Sequence, residues 1–205
     1  MSSKTPIQAR AKATRKKLLE SAARSLCEFG CRGTTTTVVA AGAGVSQGAL
    51  YKHFGSKNKL MAATTEYLFS GLVDEFRNAF AAGYGEKDNL SLALRELWAV
   101  FLRPELYAIV ELYIAARTDE ALRQALVPVL WRHRVTLFEE AKRLFPDAAA
   151  NNPRFVLAVE GLLSAMQGAA LSAAVLPEVS EAPEFVDFVE QVCRRELEPP
   201  YGGAS

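Results

Sequence analysis

The chain has 205 residues, half of them hydrophobic, with 24 Lys and Arg against 23 Asp and Glu for a formal charge of +1. That content is enough to bury a core and excludes disorder except at the ends. The near-neutral total hides an asymmetry: residues 1–60 hold 11 Lys or Arg and only two acids, Glu20 and Glu28, a balance of +9 that leaves −8 on the rest. The first 60 residues are therefore a surface for a polyanion. Cys27, Cys31 and Cys193 make no secreted disulfide framework and no signal peptide precedes them, so a reducing cytoplasm is the expected compartment.

In chain order, residues 1–9 read as a disordered basic arm. Leu18, Leu19, Ala22, Leu26 and Phe29 then recur at helical spacing, which predicts a helix over Gln8–Phe29. Gly30 ends it between Cys27 and Cys31, and both cysteines read as small buried hydrophobes rather than a metal or redox pair. Thr35 is placed to cap a helix over Thr36–Ala43 with Val38, Val39 and Ala43 on its apolar side. Gly44 closes that helix, and Ser46 caps a second over Gln47–His53. Two short helices joined by a tight turn result. Leu50 and Phe54, four apart, face inward; Gln47, Gly48, Ala49, Tyr51, Lys52 and His53 point elsewhere. The exposed set has the chemistry of a DNA groove. Gln47 donates and accepts in one plane as an adenine edge requires, the Ala49 methyl suits a thymine methyl, and Lys52 suits guanine or phosphate. Gly48 lets the backbone approach closely.

Ser56 caps a further helix in which Leu60, Thr64, Tyr67, Leu68, Val73, Phe76 and Phe80 keep helical spacing until Gly83 and Gly85 break it. Helices follow near Leu90–Leu102, Pro104–Arg117, Asp119–Phe145, Pro153–Leu176 and Pro183–Leu197, several with proline in the first turn, where it is preferred. Pro128 either kinks or splits the Asp119–Phe145 pattern. The 21 residues from Val156 to Leu176 carry one charge, Glu160, and would permit a membrane span by length. Glu160, Ser164, Gln167 and Ser172 argue instead for a helix buried against protein on most sides. No strand alternation or repeat is present, and residues 199–205 read as a frayed tail. The expectation is an all-α chain: a three-helix DNA-binding domain with a helix-turn-helix over 10–56, and a larger helical domain over 57–198.

The stretch Thr34, Thr35, Ala40, Ala43 to Ser46, Gly48, Leu50, Tyr51, His53, Phe54, Ser56 and Lys57 resembles, in order and spacing, the signature of the TetR family of bacterial transcriptional repressors. Gly42 departs from it, standing where a better helix former is usual. The resemblance covers roughly residues 10–60 and implies a homodimer, with the last two long helices of each subunit forming a four-helix interface and a small molecule bound in the larger domain. The function expected is a repressor released from a palindromic double-stranded DNA operator by a small-molecule effector. The alternatives are a constitutive regulator or activator without a ligand and, more remotely, a helical enzyme. His53 and His133 are the only histidines and neither sits in a catalytic spacing, so no catalytic residue, metal or cofactor is expected.

Phosphate contacts are expected from Thr35, Thr36, Tyr51, His53, Lys57 and Lys59, whose hydroxyls and cationic groups suit phosphate oxygens. For His53 this role is implied by the resemblance. Trp98, Tyr107, Glu111, Tyr113, Trp131 and Gln167, aromatic and polar groups on the middle helices, are the expected effector contacts. Gly161, Ala165, Gly168, Ala169 and Ser172 would let a partner helix approach, and Phe185, Phe188, Val189 and Val192 give the last helix an apolar stripe for the same interface.

Overall fold

The computed structural model describes residues 5–85, 88–176 and 183–197. Among them are ten helices: α1 Thr5–Gly33, α2 Thr36–Gly42, α3 Gln47–Phe54, α4 Lys57–Gly83, α5 Asn89–Phe101, α6 Pro104–Ala116, α7 Glu120–Leu144, α8 Pro146–Asn151, α9 Phe155–Ala173 and α10 Pro183–Leu197. The architecture is all α, as expected. Short polar side chains (Thr35, Ser46, Ser56, Asp88 and Asp119) open five of these helices by accepting otherwise unpaired backbone N–H groups. Asp88 accepts from Leu90 (2.8 Å) and Ser91 (3.3 Å) at α5, and Asp119 from Leu122 (2.9 Å) at α7.

Several expectations are corrected. Helix α1 begins at Thr5, so residues 5–9 of the supposed arm are helical; residues 1–4 and the tail over 199–205 lie outside the described residues. Its inward face ends at Leu26, one turn before Gly30 turns the chain with φ +66°, and Phe29 is exposed. Cys27 is exposed and Cys31 half-buried, so neither is a buried hydrophobe; only Cys193 is buried. Burial at α2 falls on Val39 and Ala40, while Val38 is exposed. Pro128 sits inside an unbroken α7, where it leaves the Gln124 carbonyl without its intrahelical donor. Helix α8 was not anticipated, although Pro146 at its first position and Ala148 to Ala150 after it are helix-compatible signals. Helix α9 alone among the described residues is long and apolar enough to cross a membrane, yet only 22% of its most apolar window is buried within the chain. The expectation of burial on most sides therefore fails for one copy of the chain: Phe155, Val159, Met166, Ala170 and Ala173 face inward, and the opposite face is open.

By packing, the chain divides into two compact units, one formed by residues up to Gly71 with Pro104–Trp131, the other by Leu72–Arg103 with the residues from Arg132 onward. This cut differs from the boundary expected after residue 56, because α6 packs along α1 and brings Ala108, Ile109 and Leu112 into the first unit's interior. In the first unit Leu18, Ala22, Leu26, Val39, Leu50 and Leu60 are almost fully buried. In the second, α5, α9 and α10 pack on one another, with Trp98 against Phe185 at 5.1 Å between ring centroids. Phe80, Leu92 and Ala93 form a core there, flanked by Phe76, Leu144 and Phe145. Arg194 of α10 donates to Asp88 (2.5 Å), Glu190 (2.7 Å) and Ser91 (3.1 Å), and so ties the last helix to the cap of α5.

Candidate nucleic-acid interface

The two helices expected to read DNA form through local hydrogen bonds the sequence specifies. Thr35 Oγ1 accepts from the Val38 N–H (3.2 Å) and opens α2. At its end Gly44 takes φ +66°, which a Cβ would disfavour. The turn closes with Gly44 N–H donating to the Ala41 carbonyl and Val45 N–H to the Ala40 carbonyl, both at 3.0 Å, the paired pattern of a glycine-terminated helix. Ser46 Oγ then accepts from Ala49 N–H (3.2 Å) to start α3, and Ser56 Oγ from Lys59 N–H (3.2 Å) to start α4.

On α3 the sidedness is as expected: Leu50 and Phe54 are buried, while Gln47, Gly48, Tyr51 and Lys52 are exposed and Ala49 and His53 half-buried. Of the expected phosphate contacts, Thr35 and Lys59 are exposed and Thr36 and Lys57 half-buried; Ser46 is exposed at the helix start. Two polar pairs cross from α2 to α3 on the outer face. Gln47 Nε2 donates to Thr37 Oγ1, and Thr36 Oγ1 lies 3.5 Å from the Tyr51 hydroxyl. Thr37 was not singled out from the sequence, although it stands ten residues before Gln47 on the neighbouring helix. Arg15 was also missed: its guanidinium lies 5.2 Å over the Phe54 ring, so a basic side chain of α1 borders the base of α3.

The six expected effector contacts are distributed over both units. Tyr107, Glu111, Tyr113 and Trp131 belong to the first and Trp98 and Gln167 to the second. Glu111 is occupied structurally: its Oε2 accepts from the Cys31 N–H (2.8 Å), just past the bend at Gly30, where an added Cβ would come 2.6 Å from that same oxygen. Tyr113 is half-buried, and burial pushes its hydroxyl up to about 12; burial also raises Tyr107. Trp98 is buried on Phe185, Gln167 is half-buried and Trp131 is 59% exposed. A cavity of about 400 Å³ opens in the second unit, its lining including apolar Leu90, Leu144 and Phe145 and polar Asp88, Asn152 and Arg194. None of the six lines it. Among the described residues no group of three His, Cys, Asp or Glu is placed to hold a metal ion.

Of the residues expected to meet a second copy, Gly161, Ala165, Gly168, Ser172, Phe188 and Val192 are exposed and Ala169 is half-buried. Cβ atoms at Gly161 and Gly168 would meet nothing within 4 Å. Val189, in contrast, is buried in its own chain and Phe185 is half-buried on Trp98, because α10 turns Val186, Val189 and Cys193 inward. Leu157, Leu171 and Val175, not named from the sequence, extend the open apolar stripe of α9.

A family model described as bacterial regulatory proteins, tetR family, matches residues 18–64, which span the end of α1, both reading helices and the start of α4. An uncharacterized HTH-type transcriptional regulator of Mycobacterium tuberculosis is 30% identical over 174 residues, covering 83% of this chain and 88% of that protein. The HTH-type transcriptional regulator CymR of Pseudomonas putida is 34% identical over 135 residues, 65% of this chain and 66% of CymR. Among solved structures, Salmonella enterica GusR superposes with a TM-score of 0.69 at 18% identity over 96% of this chain and 99% of its own. The multidrug binding protein EbrR, crystallised with imidazole, superposes with a TM-score of 0.65 at 23% identity over 92% and 97%.

Proposed function

The chain belongs to the TetR family of DNA-binding transcriptional regulators, and from that premise we propose that it acts as a homodimeric repressor released from a palindromic operator by a small-molecule effector. The observation that carries this reading is the outer face of α3, where Gln47, Tyr51 and Lys52 stand exposed above buried Leu50 and Phe54. A helix entering a major groove needs that arrangement. Gln47 and Lys52 meet base edges, with Ala49 against a thymine methyl and Gly48 allowing close approach. Thr35, Thr36, Ser46, Tyr51, His53, Lys57 and Lys59 hold the phosphates, and the +9 balance of residues 1–60 supplies the long-range attraction.

Two copies of α3 in successive major grooves require recognition elements about 34–36 Å apart, hence a two-fold operator. The open stripe of α9, from Leu157 through Gly161, Ala165 and Gly168 to Ser172, supports pairing of two chains: small residues admit a partner helix, and apolar side chains beside them favour leaving water. An effector that favours a dimer with the wrong α3 separation lowers DNA affinity, and DNA lowers effector affinity by the same factor. Trp98, Tyr107, Tyr113 and Trp131 on the middle helices suit an effector of moderate hydrophobicity. The reading places the protein in the cytoplasm, where the DNA is.

The test is selection of bound fragments from a genomic DNA library, then anisotropy on the recovered duplex while hydrophobic and aromatic compounds are added. A recovered palindrome that one compound releases is the expected result. Fragments without a common sequence would contradict operator recognition, and indifference of the complex to every compound would contradict effector release.

A further inference from the structure

Thr37 carries no assigned role, yet it holds the side chain expected to read a base. The Gln47 amide lies on the outer face of α3 with Nε2 donating to Thr37 Oγ1 across the turn. An exposed glutamine has three rotatable bonds and a broad terminal torsion, so without a partner its amide plane is undefined. Here one of the two Nε2 hydrogens is engaged, which leaves the second hydrogen and Oε1 in a fixed plane. That pair is what adenine requires, a donor to N7 and an acceptor for the N6 amino group. The neighbouring Thr36 hydroxyl lies 3.5 Å from that of Tyr51, so α2 supports α3 at two points on this face.

We propose that Thr37 is a specificity-determining positioning residue: its hydroxyl orients the Gln47 amide and thereby sharpens the preference for one base pair in each half-site. The inference rests on Gln47 reading a base. A pre-oriented reader avoids ordering its side chain on binding, and that advantage goes to the base pair whose edge matches the plane. Threonine suits the position because its hydroxyl projects from a rigid, β-branched stem.

The experiment is binding selection from a randomised duplex library with the full-length protein and its Thr37→Val, Thr37→Ser and Gln47→Ala variants, with thermal melting of each. Valine keeps the shape and removes the hydroxyl; serine keeps the hydroxyl. Gln47→Ala should abolish the preference at one symmetric pair of positions, a preference of about 5- to 150-fold for a well-formed bidentate contact. Thr37→Val should weaken it at the same positions by about 2- to 10-fold, the range of one net hydrogen bond. It should leave the rest of the selected sequence and the melting temperature unchanged, and Thr37→Ser should match the parent. Adding Thr37→Val to Gln47→Ala should have no further effect on preference. If Gln47→Ala alters a base preference and Thr37→Val does not, or if Thr37→Val lowers affinity evenly for all sequences, the positioning role is overturned while base reading by Gln47 stands. If Gln47→Ala alters nothing, base reading fails and the positioning role falls with it.

Discussion

At Gly42 one hydrogen atom decides the packing of α2 on α1. A Cβ there would sit 2.5 Å from Ser21 Oγ, and that buried hydroxyl donates to the Val39 carbonyl at 2.9 Å. This accounts for the one departure from the family signature: glycine, elsewhere a cost of about 1 kcal/mol in a helix, admits the serine. Gly42→Ala should destabilise the protein by about 1–2 kcal/mol in urea melts, since the hydroxyl must leave its partner while buried. In a Ser21→Ala background the same change should stabilise by up to about 1 kcal/mol. Additive effects in that double-mutant cycle would show that the two sites do not touch. His133 provides a second test. Burial pushes its imidazole down to about 4, below the value near 6.5 it has when unfolded. The unfolded chain thus binds the extra proton between those values, and stability should fall as pH drops from about 6.5 towards 4, by on the order of 1–3 kcal/mol. His133→Gln should flatten the pH dependence of the melting temperature in that window; an unchanged profile would exclude His133 as the cause.

Among the elements, α5 and α10 depend on one carboxylate in two ways. Asp88 caps α5 and accepts from Arg194, whose guanidinium, with the two backbone N–H groups, holds the carboxyl below its ordinary range. Asp88→Ser keeps the cap and removes the ion pair, whereas Asp88→Ala removes both. The alanine variant should therefore be less stable than the serine variant by about 1 kcal/mol, the ordinary worth of a cap. Equal melting temperatures would mean that Asp88 acts through Arg194 alone. Caps of this kind made the helices legible in the sequence. Thr35, Ser46 and Ser56 lie where the chain needs acceptors, and Gly44 lies where it needs positive φ. Exposure was less legible, because spacing defines a face without saying what covers it. Phe29 continues the apolar face of α1 and is uncovered; the face of α9 opposite Met166 is apolar and open. The candidate site was legible where it is local, on α3. It was not legible where residues far apart in sequence meet, as in Glu111 with Cys31, or where a neighbouring helix supplies the partner, as in Thr37 with Gln47.

For the molecule as a whole, the proposed function requires two chains. Gly168 is exposed, and a Cβ added there would meet nothing of the rest of its chain within 4 Å. Gly168→Trp should therefore leave each chain folded while blocking close approach of a partner helix. Light scattering should give a monomeric mass, and circular dichroism unchanged helix content. A dimeric mass would move the interface away from this stripe. The +9 on residues 1–60 makes a further demand: operator affinity should fall steeply with salt, and replacing Lys57 by Ala should reduce the slope of log affinity against log salt by about one. The most direct test of operator reading by a two-fold pair of α3 helices is fluorescence anisotropy, with stoichiometry, on the selected operator and on a duplex with one half-site scrambled. Two chains per intact duplex, with a large loss of affinity when one half-site is scrambled and a further loss on Gln47→Ala, is the result predicted. Equal affinity for intact and half-scrambled duplexes, indifferent to Gln47→Ala, would contradict the account.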